Sequence, residues 1–338
     1  MQIRTYRQRI CFIRWLMMLT CGAVASTVSA ATPEATFDLD GKHYEIINGT
    51  LFEGSAGGAQ NRVQEVYDPN FYAKSYGQEG GKLMRLGDNG EKYPVMMSID
   101  ENFDQTRNIA DLIGLQHGWT EFTLLAPATR TAPAYNDLRQ RIVRGQASFI
   151  DNRVEPSTLR AHSGTTSLRT YSVSAGAGMQ LTKASMTSAL MHFKKGDDFW
   201  YSAWYFLEKG HPWSIVDLES TYLDQGGGMR LMFTDDLHPY FELKWPSRPV
   251  YRPLAGNTTV LPSGVWTRVQ VHFFLSEGDD GVAQLWIDGS KVIDAKGQTL
   301  PVAKIVFDSL EIGTTSNPPR TETILFVDDV QASHQPLP

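Results

Sequence analysis

Cysteine is almost missing from this chain: Cys11 and Cys21 are the only two in 338 residues, and both precede residue 31. Beyond that point disulfides and thiolate chemistry are excluded, so a packed core must hold the fold, which a chain of this length can supply. Basic charge is scarce, with 31 lysines and arginines against 37 acidic residues and a net charge of −6. That balance argues against a nucleic-acid binder, which needs a broad basic surface. The eight histidines are scattered, with no His-x-x-x-His spacing, so zinc is not expected. No glycine-rich phosphate loop and no Gly-x-Ser-x-Gly elbow occurs. Repeats, low-complexity tracts and flexible linkers are absent as well.

What the beginning does contain is an address. Arg4, Arg7, Arg9 and Arg14 precede the mostly apolar run Trp15–Val24, and Val28-Ser29-Ala30 offers a small-residue cleavage site. Residues 1–30 therefore read as a secretory signal peptide. A retained anchor is the weaker alternative, because the apolar run is shorter than a spanning helix requires. Met18-Leu19-Thr20 before Cys21 fits a lipobox poorly. Cleavage leaves 27 basic against 37 acidic side chains, a net charge of −10. A periplasmic or secreted bacterial protein is expected, monomeric, with no membrane contact after cleavage and no nucleic-acid partner.

The remainder divides in two. Residues 31–146 read as an irregular N-terminal cap segment containing short helices: a hairpin over Phe37–Phe52 with turns at Asp40-Gly41 and Asn48-Gly49, then weakly periodic loop with occasional strand over Glu53–Tyr93. Helical spacing follows at Asp104–Gln116 and Pro133–Arg144, with a strand between them at Trp119–Leu125. From residue 147 to 338 the pattern is steady β, with short strands separated by turns, which predicts an all-β sandwich. Its clearest stretch is Gly264–Asp294. There Val265, Thr267, Val269, Val271, Phe273 and Leu275 alternate with Trp266, Arg268, Gln270 and His272, and two tight turns follow, the second at Asp288-Gly289.

The order Gly264-x-Trp266-x-x-Val269-x-Val271-x-Phe273, with Gln284-Leu285-Trp286-Ile287-Asp288-Gly289 after it, resembles the late strands of concanavalin A-like jelly-roll proteins. Within that group it is most similar to the polysaccharide lyases related to heparin lyase I and glucuronan lyase. His162-Ser163-Gly164-Thr165-Thr166-Ser167-Leu168 resembles a frequent opening of such sandwiches. Laminin-G-like and glucanase-like domains share the strand pattern, so the resemblance bears on the fold more directly than on the activity.

Three consecutive strands repeat one arrangement. Asp217 and Glu219 oppose Val216 and Leu218, Arg230 opposes Met229 and Leu231, and Tyr240, Glu242 and Lys244 oppose Phe241 and Leu243. If the strands are neighbours these polar residues share one sheet face, with Arg248, Tyr251 and Arg252 in a loop at its rim. A solvated outer face would alternate in the same way.

The resemblance implies cleavage of a uronate-containing acidic exopolysaccharide by β-elimination on the concave face. Tyr240 would then be base and acid, its pKa lowered by Lys244 or Arg230, with Arg230 on the substrate carboxylate and Arg248 and Arg252 on neighbouring uronates. Two departures stand against a direct transfer. Asp217 and Glu219 occupy a strand where the related lyases carry Gln or Asn with His, and Thr187–Phe193 lacks an Arg-x-Glu-Leu-Arg-like pattern, leaving His192 as a substrate-binding substitute. The carboxylates admit a glycoside hydrolase built on Glu219 and Glu242, although Asp217-Leu218-Glu219 has the wrong order for the Glu-x-Asp-x-x-Glu strand of retaining glucanases. A non-catalytic carbohydrate-binding or adhesion module, stacking sugars on Trp200, Trp204, Trp213, Trp245 or Trp266, is the third reading. No cofactor is expected; calcium at Asp279-Asp280 or Asp328-Asp329 is the alternative to solvated loop acids.

Overall fold

The computed structural model describes residues 32–39, 41–54, 60–87, 90–223, 226–246 and 248–338. The expected signal peptide and both cysteines lie outside the described residues. The fold is an all-β sandwich preceded by small sheets and short helices.

The first strands, β1 (Ala35–Leu39), β2 (Lys42–Ile47), β3 (Thr50–Gly54) and β4 (Gln60–Glu65), form an antiparallel meander. The expected hairpin is its first half. Asn48 and Gly49 turn it with φ of 51° and 73°, the conformation that makes Asn-Gly a hairpin signal. A Cβ at Gly49 would stand 2.2 Å from the Tyr67 carbonyl oxygen, so the position has no room for a side chain either. Helix α1 (Phe71–Ser75) leads into a second small sheet of β5 (Tyr76–Glu79), β6 (Lys82–Leu86) and β7 (Lys92–Pro94). Glu53–Tyr93 thus carries more regular structure than its weak periodicity predicts. Most residues of these strands are exposed or half-buried, so no face repeats a core pattern and the alternation is faint.

The segment then enters the sandwich. Strand β8 (Ser98–Glu101) is followed by α2 (Ile109–Leu112), β9 (Glu121–Leu125) and α3 (Ala132–Val143). The expected helix at Asp104–Gln116 shrinks to α2. Asn108 and Asp111 form a capping box that starts the helix late, while Asp104 Oδ1 accepts from the N–H groups of Thr165 and Thr166 at 2.7 and 3.0 Å. That carboxylate holds the His162–Leu168 loop and does not cap a helix.

The main body comprises β10 (Arg153–Ser157), β11 (Ser167–Ser172), β12 (Thr182–Ser188), β13 (Asp198–Lys209), β14 (Ser214–Glu219), β15 (Gly228–Phe233), β16 (Pro239–Leu243), β17 (Val250–Tyr251), β18 (Trp266–Phe274), β19 (Val282–Ile287), β20 (Ser290–Lys296), β21 (Ser309–Asn317) and β22 (Thr323–Ser333). One sheet runs β10-β11-β22-β13-β18-β19-β20, with β8 also paired to β22; the other runs β17-β16-β15-β14-β21-β12-β9. The N-terminal segment therefore donates one strand to each sheet. In β18 burial alternates as expected, with Thr267, Val269, Val271 and Phe273 inward, although Val265 lies before the strand and is exposed. Side chains of period two meet between the sheets, where Phe241 and Phe273 touch edge to face at 4.8 Å. Each such ring contributes about 1.5–3 kcal/mol by leaving water. Tyr201 and Tyr205, buried in the same layer, satisfy their hydroxyls on each other at 2.6 Å.

Candidate functional site

The register of the second sheet lines up its outward side chains. Thr187 on β12 faces Glu311 on β21, which faces Asp217 on β14, then Arg230 on β15 and Glu242 on β16. A second row joins Ser309, Glu219 and Gly228, and the Gly228 carbonyl accepts from the Lys244 N–H at 2.9 Å. Asp217, Glu219, Arg230, Glu242 and Lys244 therefore do share a face, as their alternation predicts.

The face is not a solvated one. Asp217 is 2% and Glu219 7% exposed, and Glu311 and Thr187 are buried beside them. Helix α3 covers one side: Arg139 pairs with Glu121 at 2.6 Å, and buried Tyr135 lies within electrostatic reach of Glu121, Lys183 and Glu311. Charges buried this deeply must be paired. Lys244 Nζ stands 2.9 Å from Asp217 and also binds Glu219. Lys183 reaches Glu311 at 3.1 Å, and Arg230 Nη2 donates to Glu242 at 3.0 Å. Ser214 and Thr315 donate to Asp217 at 2.5 and 3.0 Å, and Ser185 donates to Glu311. Burial pushes the Asp217 carboxyl up, but Lys244, Lys183 and Arg230 outweigh it and hold the group at about 2.

Carboxylate oxygens of Asp217, Glu219 and Glu311 lie within 4.8 Å of one another, a grouping able to hold a metal ion. The same three carboxylates are already paired with lysine ammonium groups, Asp217 and Glu219 with Lys244 and Glu311 with Lys183. At the loops considered for calcium, Asp280 accepts from Ser276, Asp328 from the N–H groups of His162, Ser163 and Asp329, and Asp329 from Ser163. Burial raises Asp328 to about 6.

Tyr240 lies on β16 two residues before Glu242, partly exposed, with the Arg252 guanidinium 5.8 Å from its ring centre. Its pKa is raised, first by burial and then by Glu242, against the pull of Arg230 and Arg252. The expected lowering is thus reversed, and Lys244 is spent on Asp217 and Glu219. Arg248 is exposed on the following loop. Tyr251 does not join the face. It pairs with Phe241, is buried, and donates its hydroxyl to the Gln298 carbonyl at 2.5 Å; burial and Asp279 push it up to about 12.

His192 belongs to a different cluster, beyond the ends of β12 and β14. Its Nε2 is 3.2 Å from the Tyr72 hydroxyl, and burial lowers its pKa. Tyr76 meets the imidazole edge to face at 5.2 Å. Behind them Arg85, 1% exposed, pairs with Asp308 at 2.8 Å and lies over the rings of Phe71, Tyr76 and Tyr222. The five tryptophans considered for stacking are all partly buried. Trp200 and Trp204 lie flat against His272 and His162 at 3.9 and 3.7 Å, Trp266 meets Phe206, and Trp245 meets Phe37.

Sequence reasoning missed Glu311, Lys183 and Arg85. Glu311 stands between Leu310 and Ile312 in an alternating strand, which was a usable signal; its neighbours across the sheet were not readable.

No protein-family model matches the chain, and no curated protein matches it. Solved structures are similar in fold. An endo-beta-1,4-glucuronan lyase from the fungus Trichoderma reesei shares 14% identity, covering 55% of this chain and 89% of its own, with a TM-score of 0.45. The cellulose-induced protein Cip1 shares 14% over 71% of this chain and 98% of its own, at 0.47. Alginate lyase Aly36B shares 11% over 71% and 97%, at 0.42. These include the lyase group that the sequence resembles, and at such identities and scores they carry no argument about chemistry.

Proposed function

We propose that the chain is an exported polysaccharide lyase that cleaves a uronate-containing acidic exopolysaccharide by β-elimination at the Tyr240 end of the polar sheet face. The observation that supports this reading is a partly exposed phenol with the Arg252 guanidinium 5.8 Å from its ring centre and Arg230 within electrostatic reach, and with Arg248 exposed on the following loop. A uronate carboxylate held by arginine acidifies the adjacent C5–H bond. The Tyr240 phenolate takes that proton, the C5 electrons form the C4–C5 double bond, the C4–O bond breaks, and the phenol returns the proton to the leaving oxygen. Because burial and Glu242 disfavour the phenolate, the rate is expected to rise with pH on the alkaline side.

A hydrolase fits less well. Glycoside hydrolysis needs one carboxyl free to donate a proton, and of the two candidates Glu219 is bound by Lys244 while Glu242 accepts from Arg230 at 3.0 Å. The test is incubation of the mature protein with uronate polymers, following absorbance from unsaturated ends and new reducing ends together. Tyr240→Phe is expected to abolish the absorbance. New reducing ends without absorbance would sink elimination, and retention on a polymer with neither signal would leave a binding module.

A further inference from the structure

Among the described residues Tyr72 is the most exposed of the phenylalanine, tyrosine and tryptophan side chains, at 41%. A tyrosine left in water is ordinarily free to rotate; this one is fixed. Its ring stacks on Tyr76 at 4.9 Å, meets His192 edge-on at 5.9 Å, and its hydroxyl bonds His192 Nε2 at 3.2 Å. Tyr76 is buried and backed by the Arg85 guanidinium at 5.0 Å. Arg85 is itself held, since it pairs with Asp308 and donates to Thr221 at 3.1 Å. An aromatic plate immobilised from behind binds at little cost in conformational entropy.

The residues around it stand on segments that follow strands of the polar face. His192 follows β12, the strand of Lys183 and Thr187, and Thr221 and Tyr222 follow β14, the strand of Asp217 and Glu219. From β12 to β16, the strand of Tyr240, the sheet spans four spacings, roughly 19 Å. That is the reach of an oligosaccharide and not of a single reacting linkage.

We infer that Tyr72, held by Tyr76 and His192, is a sugar-stacking subsite that the N-terminal segment adds to the sandwich. It takes the apolar face of a pyranose in a bound polysaccharide, away from the bond being cleaved. Burial keeps His192 neutral near pH 7, so the subsite reads ring shape and not carboxylate charge. The inference rests on the reading of the chain as polysaccharide-active.

The experiment uses the whole mature protein and gels containing alginate, glucuronan or polygalacturonate. Retention of the wild type is compared with Tyr72→Ala, which removes the ring, and Tyr72→Phe, which keeps it. Tyr72→Ala is expected to weaken retention roughly tenfold, and to raise KM on polymer with kcat unchanged, while Tyr72→Phe stays near the wild type. A melting temperature for each variant separates lost binding from lost folding. Wild-type cleavage or retention with Tyr72→Ala unchanged would overturn the subsite alone. Neither cleavage nor retention by the wild type on any of the three polymers would overturn the subsite together with the proposed function.

Discussion

Lys244→Met tests whether the polar face is a closed electrostatic unit. The substitution keeps most of the unbranched stem and removes its charge, leaving Asp217 and Glu219 without the ammonium that both now bind. In the native chain Asp217 sits at about 2 against an ordinary value of 3.8. That difference of nearly two units is roughly 2.5 kcal/mol of stability, present above pH 4 and lost as pH falls through the folded value. Lys244 is the strongest of the cations on Asp217, so Lys183 and Arg230 are expected not to offset its burial by themselves, and Glu219 also loses its partner. Breaking a buried pair from one side costs about 3–5 kcal/mol, and a loss in that range is expected at pH 8. The sign with pH then reverses. With burial no longer outweighed, the folded carboxyl pKa rises, protonation relieves the variant, and its deficit shrinks from pH 8 to pH 5. Urea unfolding of both proteins at the two pH values measures this. A deficit below about 1 kcal/mol, or one of equal size at both pH values, would refute the account of Lys244 as the cation of the cluster.

Three further outcomes are expected. Glu242→Gln removes the charge that helps raise the Tyr240 pKa and releases Arg230, so the alkaline limb of a pH–rate profile should move to lower pH; an unmoved limb would separate Glu242 from the chemistry. Tyr240→Phe should abolish unsaturated product while leaving the melting temperature within a few degrees, which absorbance and calorimetry check together. Arg85→Met strands Asp308, a carboxyl that burial already raises, and should cost about 3–5 kcal/mol in urea unfolding. Adding Asp308→Asn should recover much of that loss, and a fully additive double variant would show that the two residues do not act as a pair.

The sequence and the structure agree where one physical signal dominates. The period of two in Thr267–Phe273 and in Val216–Glu219 reports a sheet with one face in the core, and no tertiary knowledge is needed to read it. Asn48-Gly49 and Asp288-Gly289 mark turns because few other residues adopt positive φ in succession. Strand order is different in kind. β21 lies between β12 and β14 although more than 80 residues separate it from either, so Glu311 and Lys183 could not be placed beside Asp217 from spacing alone. The same limit explains Tyr240. Its arginine neighbours were anticipated, but the sign of its pKa shift depends on burial and on Glu242, and burial follows from the assembled sheet. His192 was selected for its chemistry, while its partner Tyr72 stands 120 residues away in a stretch without clear periodicity.

Strand β22 is the last strand among the described residues and an inner one, hydrogen-bonded to β11 and β13, with β8 paired near its end. A ribosome delivers residues 323–333 after all the strands they join. Until then the facing backbone edges of β11 and β13 have no strand between them, and the first sheet stays in two parts. Its closure is therefore a late, non-local event, the kind that sets slow folding. A chain arrested before Thr323 would hold most of its residues and lack the strand that seals the sandwich.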